Sequence, residues 1–283
     1  TCIVCDTDMW DEDTPAITSR LRGLVYIEAT LHGPSHDLHS GSYGGAVVNP
    51  ANALAKIIGQ LHDDDGRIQI DGFYDDVAEV SAEQVEQWNS LGDADALTLE
   101  SSGAKATFGE KGYSTLERLW SRPTCDVNGL FAGYTGEGAK TVIGAKATAK
   151  ISCRLVAHQK PEQIEKALFA FLEARTPEGC HWDLKSFGTA PAIAVPTESP
   201  WLSAASDALT SVFPKPAVLI GTGGSIPVVG EFQEILGVDT VMVGFSLDDD
   251  LIHAPNEKFE VSCYRRGILS QAAILEAYAN ISS

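Results

Sequence analysis

The chain has 283 residues, 44% of them hydrophobic, which is enough for two domains with sizeable cores. Its 39 acidic against 20 basic residues leave a formal charge of -19, which argues against nucleic acid or an anionic membrane surface as a partner. No apolar run approaches the roughly 20 residues that a membrane-spanning helix needs.

Thr1-Cys2-Ile3-Val4-Cys5-Asp6 lacks the basic region of a signal peptide and begins inside a strand-like run, as if in the middle of a fold. Cys2, Cys5, Cys125, Cys153, Cys180 and Cys263 are scattered and read as buried, reduced thiols of a cytoplasmic protein. Ile3-Val4-Cys5 predicts a short interior strand ending at Asp6, with Asp8 two residues on. A carboxylate at such an end needs a cation or several hydrogen bonds, or else it caps the next turn.

From Leu24 the pattern alternates. Val25, Ile27, Ala29 and Leu31 share one face and Tyr26, Glu28, Thr30 and His32 the other, as in a half-buried strand. The glycines and serines of His36-Asp37-Leu38-His39-Ser40-Gly41-Ser42-Tyr43-Gly44-Gly45 mark a tight loop before a helix capped by Asn49 with Pro50 first. His36 and His39, three apart, are either metal ligands or loop polar groups. His62-Asp63-Asp64 is a literal H-x-D inside an acidic run and reads as a solvated loop. Ser81 with Gln84 and Ser114 with Glu117 open two short helices.

Extended segments flank a glycine-rich turn between 130 and 143, and a strand over 145–156 buries Ala147, Ala149, Ile151, Cys153 and Leu155. Arg154 therefore faces outward, where its fork suits a carboxylate, or it is an ordinary surface arginine. A helix from Pro161 to about Ala174, a last strand at Trp182-Asp183-Leu184, a linker over 191–200 and a helix from Trp201 to Val212 follow.

Gly223-Gly224-Ser225-Ile226-Pro227 predicts close backbone approach to a ligand and a helix start at Ile226 capped by Ser225, a place that attracts anions. Asp239 to Phe245 reads as a buried strand, which puts His253, within Asp248-Asp249-Asp250-Leu251-Ile252-His253-Ala254-Pro255-Asn256-Glu257, in the loop beyond it. The final helix is expected to pack Ile268, Ala272, Leu275 and Ala279 on the core.

Taken together, Cys5-Asp6-Thr7, D-L-H-S-G-x-Y-G-G, G-x-G-A-K-T-V-I, S-x-R-L-V and G-G-S-I-P with H-x-P-N-E resemble the di-zinc aminopeptidase and dipeptidase family that includes carnosinases, aminoacylases and desuccinylases, above all its cytosolic dipeptidase-like members. The resemblance implies an α/β catalytic domain with a mixed sheet, partial here, in residues 1–23 and 191–283. A two-layer α+β lid and dimerisation domain is inserted at 24–190. It also implies two divalent metal ions, zinc or manganese, with Asp6 on one and His253 on the other. His39 would reach from the lid of one subunit into the other's site and steady the oxyanion. Ser225, Gly224, Thr141 and Arg154 would hold a peptide substrate's carboxylate.

Cys5 stands where serine is usual, Gly144 replaces the usual proline, and Gly221-Thr222 stand where some dipeptidases carry charge. The family's first ligands come from an H-x-D, a bridging aspartate and a Glu-Glu pair that supplies the general base, and no Glu-Glu dipeptide occurs here. The expectation is a C-terminal part of a homodimeric dipeptidase, inactive alone. A deacylase or desuccinylase, or a metal-free dimerisation or binding module, is the alternative.

Overall fold

Residue patterns of period two and period 3.6 resolve into eleven strands and nine helices in the computed structural model, which describes residues 1–224, 226–252 and 254–281. In chain order these are β1 (Cys2–Val4), β2 (Ala16–Leu21), β3 (Gly23–His32), β4 (Leu38–His39), α1 (Ser40–Tyr43), α2 (Pro50–Ile58), α3 (Ala82–Asn89), α4 (Ala94–Ser102) and α5 (Thr115–Trp120). Then come β5 (Thr124–Ala132), β6 (Val142–Ile143), β7 (Lys146–Leu155), α6 (Pro161–Glu173), β8 (His181–Ala190), β9 (Ile193–Ala194), α7 (Pro200–Val212), β10 (Val218–Thr222), α8 (Pro227–Leu236), β11 (Thr240–Val243) and α9 (Val261–Ala279).

The first sheet is mixed, in the order β1-β11-β2-β10, with β9 also on β2. β1 runs parallel to β11 and β10 parallel to β2, while β2 is antiparallel to β11 and β9. All four residues of β11 are buried, the mark of a strand covered on both faces. Among the described residues β1 pairs with β11 and is half-buried. Ile17, Leu21, Val241 and Val243 pack with Leu202 and Leu209 of α7 and Ile274 of α9.

The second sheet is antiparallel, in the order β5-β7-β3-β8. The alternation read in β3 and β7 is realised in register, with Val25 opposite Cys153, Ile27 opposite Ile151 and Ala29 opposite Ala149. That face is covered by Leu54 and Ile57 of α2 and by Ile164, Leu168 and Phe171 of α6. Asn49 caps α2 through its side-chain oxygen on the Ala51 N–H (3.0 Å), and Ser114 with Glu117 makes a complete capping box on α5. β8 is longer than the three residues expected, because its outer positions alternate without apolar residues to announce them.

Three further expectations are corrected. α8 begins at Pro227 with Ile226 as its N-cap and no side-chain cap; Ser225 lies outside the described residues. α4 was not legible in the sequence; Asp93 caps it and Gly103 closes it, yet none of its residues is buried, so it has no apolar stripe. α9 turns Cys263, Gly267, Ser270 and Ile274 to the core and leaves Ile268 55% and Leu275 61% exposed. Apolar residues surround this helix, and small ones at the packing face let it lie close to Phe245. Of the cysteines, Cys125, Cys153 and Cys263 are buried, whereas Cys5 is exposed and Cys2 and Cys180 half-buried. Among the described residues no helix is long and apolar enough to cross a membrane.

The packing face of α9 is testable by urea unfolding. Ile274→Asp should cost about 3 kcal/mol or more, and Ile268→Asp no more than about 0.5 kcal/mol, as for a solvent-facing position.

Candidate active site

β1 ends at Val4, and the five residues after it are held by the segment that follows β11. Gly244 is the anchor: a Cβ there would sit 1.2 Å from the Thr7 carbonyl oxygen, so a residue with any side chain would push the two backbones apart. Asp8 bridges Ser246 in parallel, and the Met9 N–H donates to the Ser246 carbonyl (2.9 Å). Thr7 and Met9 are buried by this contact, while Asp6 is exposed and Asp8 half-buried.

Beyond Ser246 the chain makes a closed loop. Asp250, 1% exposed, accepts from the Leu247 N–H (2.9 Å) and from Lys258 Nζ (3.1 Å), and its carbonyl accepts from the Lys258 N–H (3.0 Å). Lys258 also pairs with Asp249 (3.1 Å) and Glu260 (2.9 Å), and these carboxylates, Glu260 foremost, hold its ammonium protonated well above the usual range. His253 falls between positions 250 and 258 in sequence and lies outside the described residues.

The two loops share an electrostatic environment. Burial pushes the Asp8 carboxyl up from its ordinary value, and Asp248, Asp250 and Asp6 push it further. Carboxylates such as Asp6, Asp8 and Asp248 are donor chemistry that a divalent metal can use, and oxygen donors suit zinc and manganese alike. The set is incomplete, however. Among the described residues no three His, Cys, Asp or Glu side chains are grouped as a metal centre requires.

The remaining candidates fall in two places. His39 is exposed in β4, opposite Val142 of β6, and its Nδ1 accepts from the Gly41 N–H (3.0 Å). Thr141 is its neighbour, since the Ser40 N–H donates to the Thr141 carbonyl (2.9 Å). Arg154 is half-buried on the outward face of β7, opposite Leu24 and Thr124. It lies close enough to Arg22 to help push that guanidinium down to about 10, burial being the larger cause. Arg22 itself donates to the carbonyls of Arg118 and Arg122. Gly224 is exposed beyond β10, and its N–H donates to the Thr222 hydroxyl (3.3 Å). His62-Asp63-Asp64 is a structural turn, in which Asp63 accepts from the Asp65 N–H (3.0 Å), the Arg67 N–H (2.9 Å) and Gln69 Nε2 (2.9 Å).

Sequence reasoning missed the meeting of Asp8 with Asp248 and the role of Gly244. A glycine directly after a fully apolar strand is the signal that pointed to the second, because such a strand end otherwise tolerates any residue. A cavity of about 290 Å³ opens beside Asp8, Asp248 and Gly223 and was not anticipated either.

The mixed sheet bears this acidic edge, the antiparallel sheet carries Arg154, and a separate two-stranded sheet, β4 with β6, carries His39 with Thr141 beside it; residues 20–180 match the peptidase dimerisation domain. The chain is 30% identical over 98% of its length to the Cys-Gly metallodipeptidase DUG1 of Saccharomyces cerevisiae, of which it spans 58%. It is 30% identical over 99% of its length to the human Beta-Ala-His dipeptidase, of which it spans 56%. The solved M20 family metallo-carboxypeptidase Sso-CP2 from Sulfolobus solfataricus superposes with a TM-score of 0.83 at 30% identity, covering 98% of this chain and 63% of that one. The chain belongs to the M20 metallopeptidase family, and it spans less than two thirds of the length of each of these relatives.

Two outcomes follow for the site. Gly244→Ala should destabilise the protein by about 2 kcal/mol or more in urea unfolding, because the Thr7 carbonyl has to move. Asp8 is raised in the folded state, so its ionisation opposes folding. Without added divalent cation, Asp8→Asn should therefore stabilise the protein at neutral pH, and the gain should fade as pH falls to the ordinary carboxylate value of 3.8. Thermal unfolding across pH 3 to 8 measures it.

Proposed function

We propose that this chain is the substrate-binding and dimer-forming portion of a metal-dependent dipeptidase. Residues 1–23 and 191–283 form part of the catalytic domain, and 24–190 are an inserted lid through which two copies pair. The observation that carries the reading is the convergence of the 5–9 loop with the segment after β11, fixed by the Gly244 contact with Thr7, which brings Asp6 and the 247–258 loop to one edge of the first sheet. Parallel strands paired at that edge place it where ligands collect in α/β folds.

In this reading Asp6 holds one divalent ion and His253 the other, each ion completed by ligands beyond these residues. The chemistry supplied when two such ions, zinc or manganese, are bound is activation of water near neutral pH and polarisation of the scissile carbonyl. The protein's own residues do the rest. Arg154 offers a bidentate fork to the peptide's carboxylate, assisted by Thr141, Ser225 and the close backbone approach that Gly224 allows. His39, exposed on the short β4–β6 ribbon, extends into the partner subunit's site and donates to the oxygen on which charge develops, a position where a fixed donor is worth about 3 kcal/mol or more. The ribbon suits that task, since the Nδ1 bond to Gly41 fixes the ring and leaves Nε2 to point outward.

Both dipeptidase relatives are named for small dipeptides, Cys-Gly and β-Ala-His, which favours dipeptides over acylated amino acids as the substrate class. With Asp6 and His253 as its only candidate ligands, this chain by itself is expected to be inactive.

The test uses protein carrying the complete ligand set. Asp6→Ala and His39→Ala should each abolish hydrolysis of Ala-Gly, and mixing the two inactive variants should restore it, because one site of the mixed dimer then has both residues intact. Failure of the mixture to recover, with dimer exchange verified, would remove His39 from the partner's site. Arg154→Ala should raise KM for dipeptides about tenfold or more.

A further inference from the structure

The cavity beside the acidic edge is not used by the roles given above. Trp10, Trp120 and Leu116 line it together with Leu97 and Ser101 of α4. Its aromatic wall is rigid. A Cβ at Gly221 would lie 2.5 Å from that of Trp120, so the indole is pressed flat against the end of β10 by the absence of a side chain there. Trp120 is held edge-on by Trp10 (6.1 Å between ring centres) and Trp88 (5.3 Å), and Trp88 Nε1 donates to the Leu219 carbonyl (3.1 Å). α4 stands beside it without burying any residue of its own, tied to α5 by the Thr115 hydroxyl on Asp95.

From this geometry we infer that the cavity receives one large apolar or aromatic side chain of the substrate, and that α4 sets the size it accepts. This rests on the dipeptidase reading of the neighbouring edge. Three observations commit the cavity to that occupant. Its volume of about 290 Å³ lies at the small end of the roughly 300–1,000 Å³ typical of ligand sites and gives room for one large side chain. It opens beside Asp8, two residues from Asp6, and beside Gly223, next to Gly224, so it is continuous with the place where the peptide is held. The carboxylates at its rim, Asp8 and Asp248, have no ion-pair partner among the described residues, while Lys258 is taken by Asp249, Asp250 and Glu260. An acidic side chain meets these carboxylates at the mouth, and an apolar one meets indole and leucine beyond it, where Arg22, the one cation among the described residues of the lining, is bonded to the Arg118 and Arg122 carbonyls.

The experiment compares kcat/KM for Phe-Gly, Ala-Gly and Glu-Gly, and for the reversed sequences, in the metal-loaded protein with its complete ligand set. Ser101→Phe fills the cavity from an exposed position on α4, so folding is spared. It should lower the Phe-to-Ala ratio about tenfold or more in one of the two sequence orders, that order identifying which side chain enters. Asp248→Asn should raise the Glu-to-Ala ratio severalfold in the same order. Ratios unmoved by both substitutions, with hydrolysis intact, overturn the pocket and leave the dipeptidase reading standing. Should the unsubstituted protein hydrolyse none of these peptides, the catalytic reading falls, and calorimetric titration with L-phenylalaninamide decides the pocket separately. Saturable binding that Ser101→Phe weakens about tenfold supports it, and its absence overturns it.

Discussion

The contact on which the rest depends is between two backbones. The Thr7 carbonyl occupies the space where residue 244 would carry a side chain, and only glycine lets the turn after β1 lie against the turn after β11. The consequence is electrostatic as much as steric. Asp8 is brought into the field of Asp248 and Asp250 in a place where burial already disfavours its charge. The fold thereby links a packing constraint to an electrostatic cost.

The second loop shows the same economy. Asp250 is almost wholly buried, yet it is satisfied three times over, by Leu247 and by both nitrogens of Lys258. Those bonds close the stretch that contains position 253 at a fixed length, and Leu251 (φ 55°) and Asn256 (φ 66°) adopt the left-handed backbone that a closed loop imposes. The antiparallel sheet stands one residue away from this assembly, since only Arg22 separates β2 from β3. Arg22 is buried at that junction, bonded to the carbonyls of Arg118 and Arg122 and repelled by Arg154.

Much of the fold was legible in the sequence where one face of an element is buried and the other wet. β3 and β7 announced themselves by alternation, and α2 and α5 by their caps, because in each the local signal and the tertiary environment agree. The signal failed where an element is apolar all round, as in α9, or apolar nowhere, as in α4. Of the site, a carboxylate at a strand end was visible as a chemical anomaly. The nearness of His39 to Thr141 had no sign in the sequence, since a hundred residues separate them. The meeting of Asp8 with Asp248 had no local sign at all, because a contact between two loops leaves no period in either.

The account turns on whether Asp6 and His253 serve neighbouring ions. Anomalous diffraction at the zinc absorption edge, from crystals of the zinc-loaded protein, measures this directly. Two peaks about 3.5–4 Å apart are expected, one about 2.0–2.2 Å from an Asp6 oxygen and the other at the same distance from a His253 nitrogen. Zinc bound away from Asp6, or a His253 that meets no metal in fully loaded crystals, would contradict it.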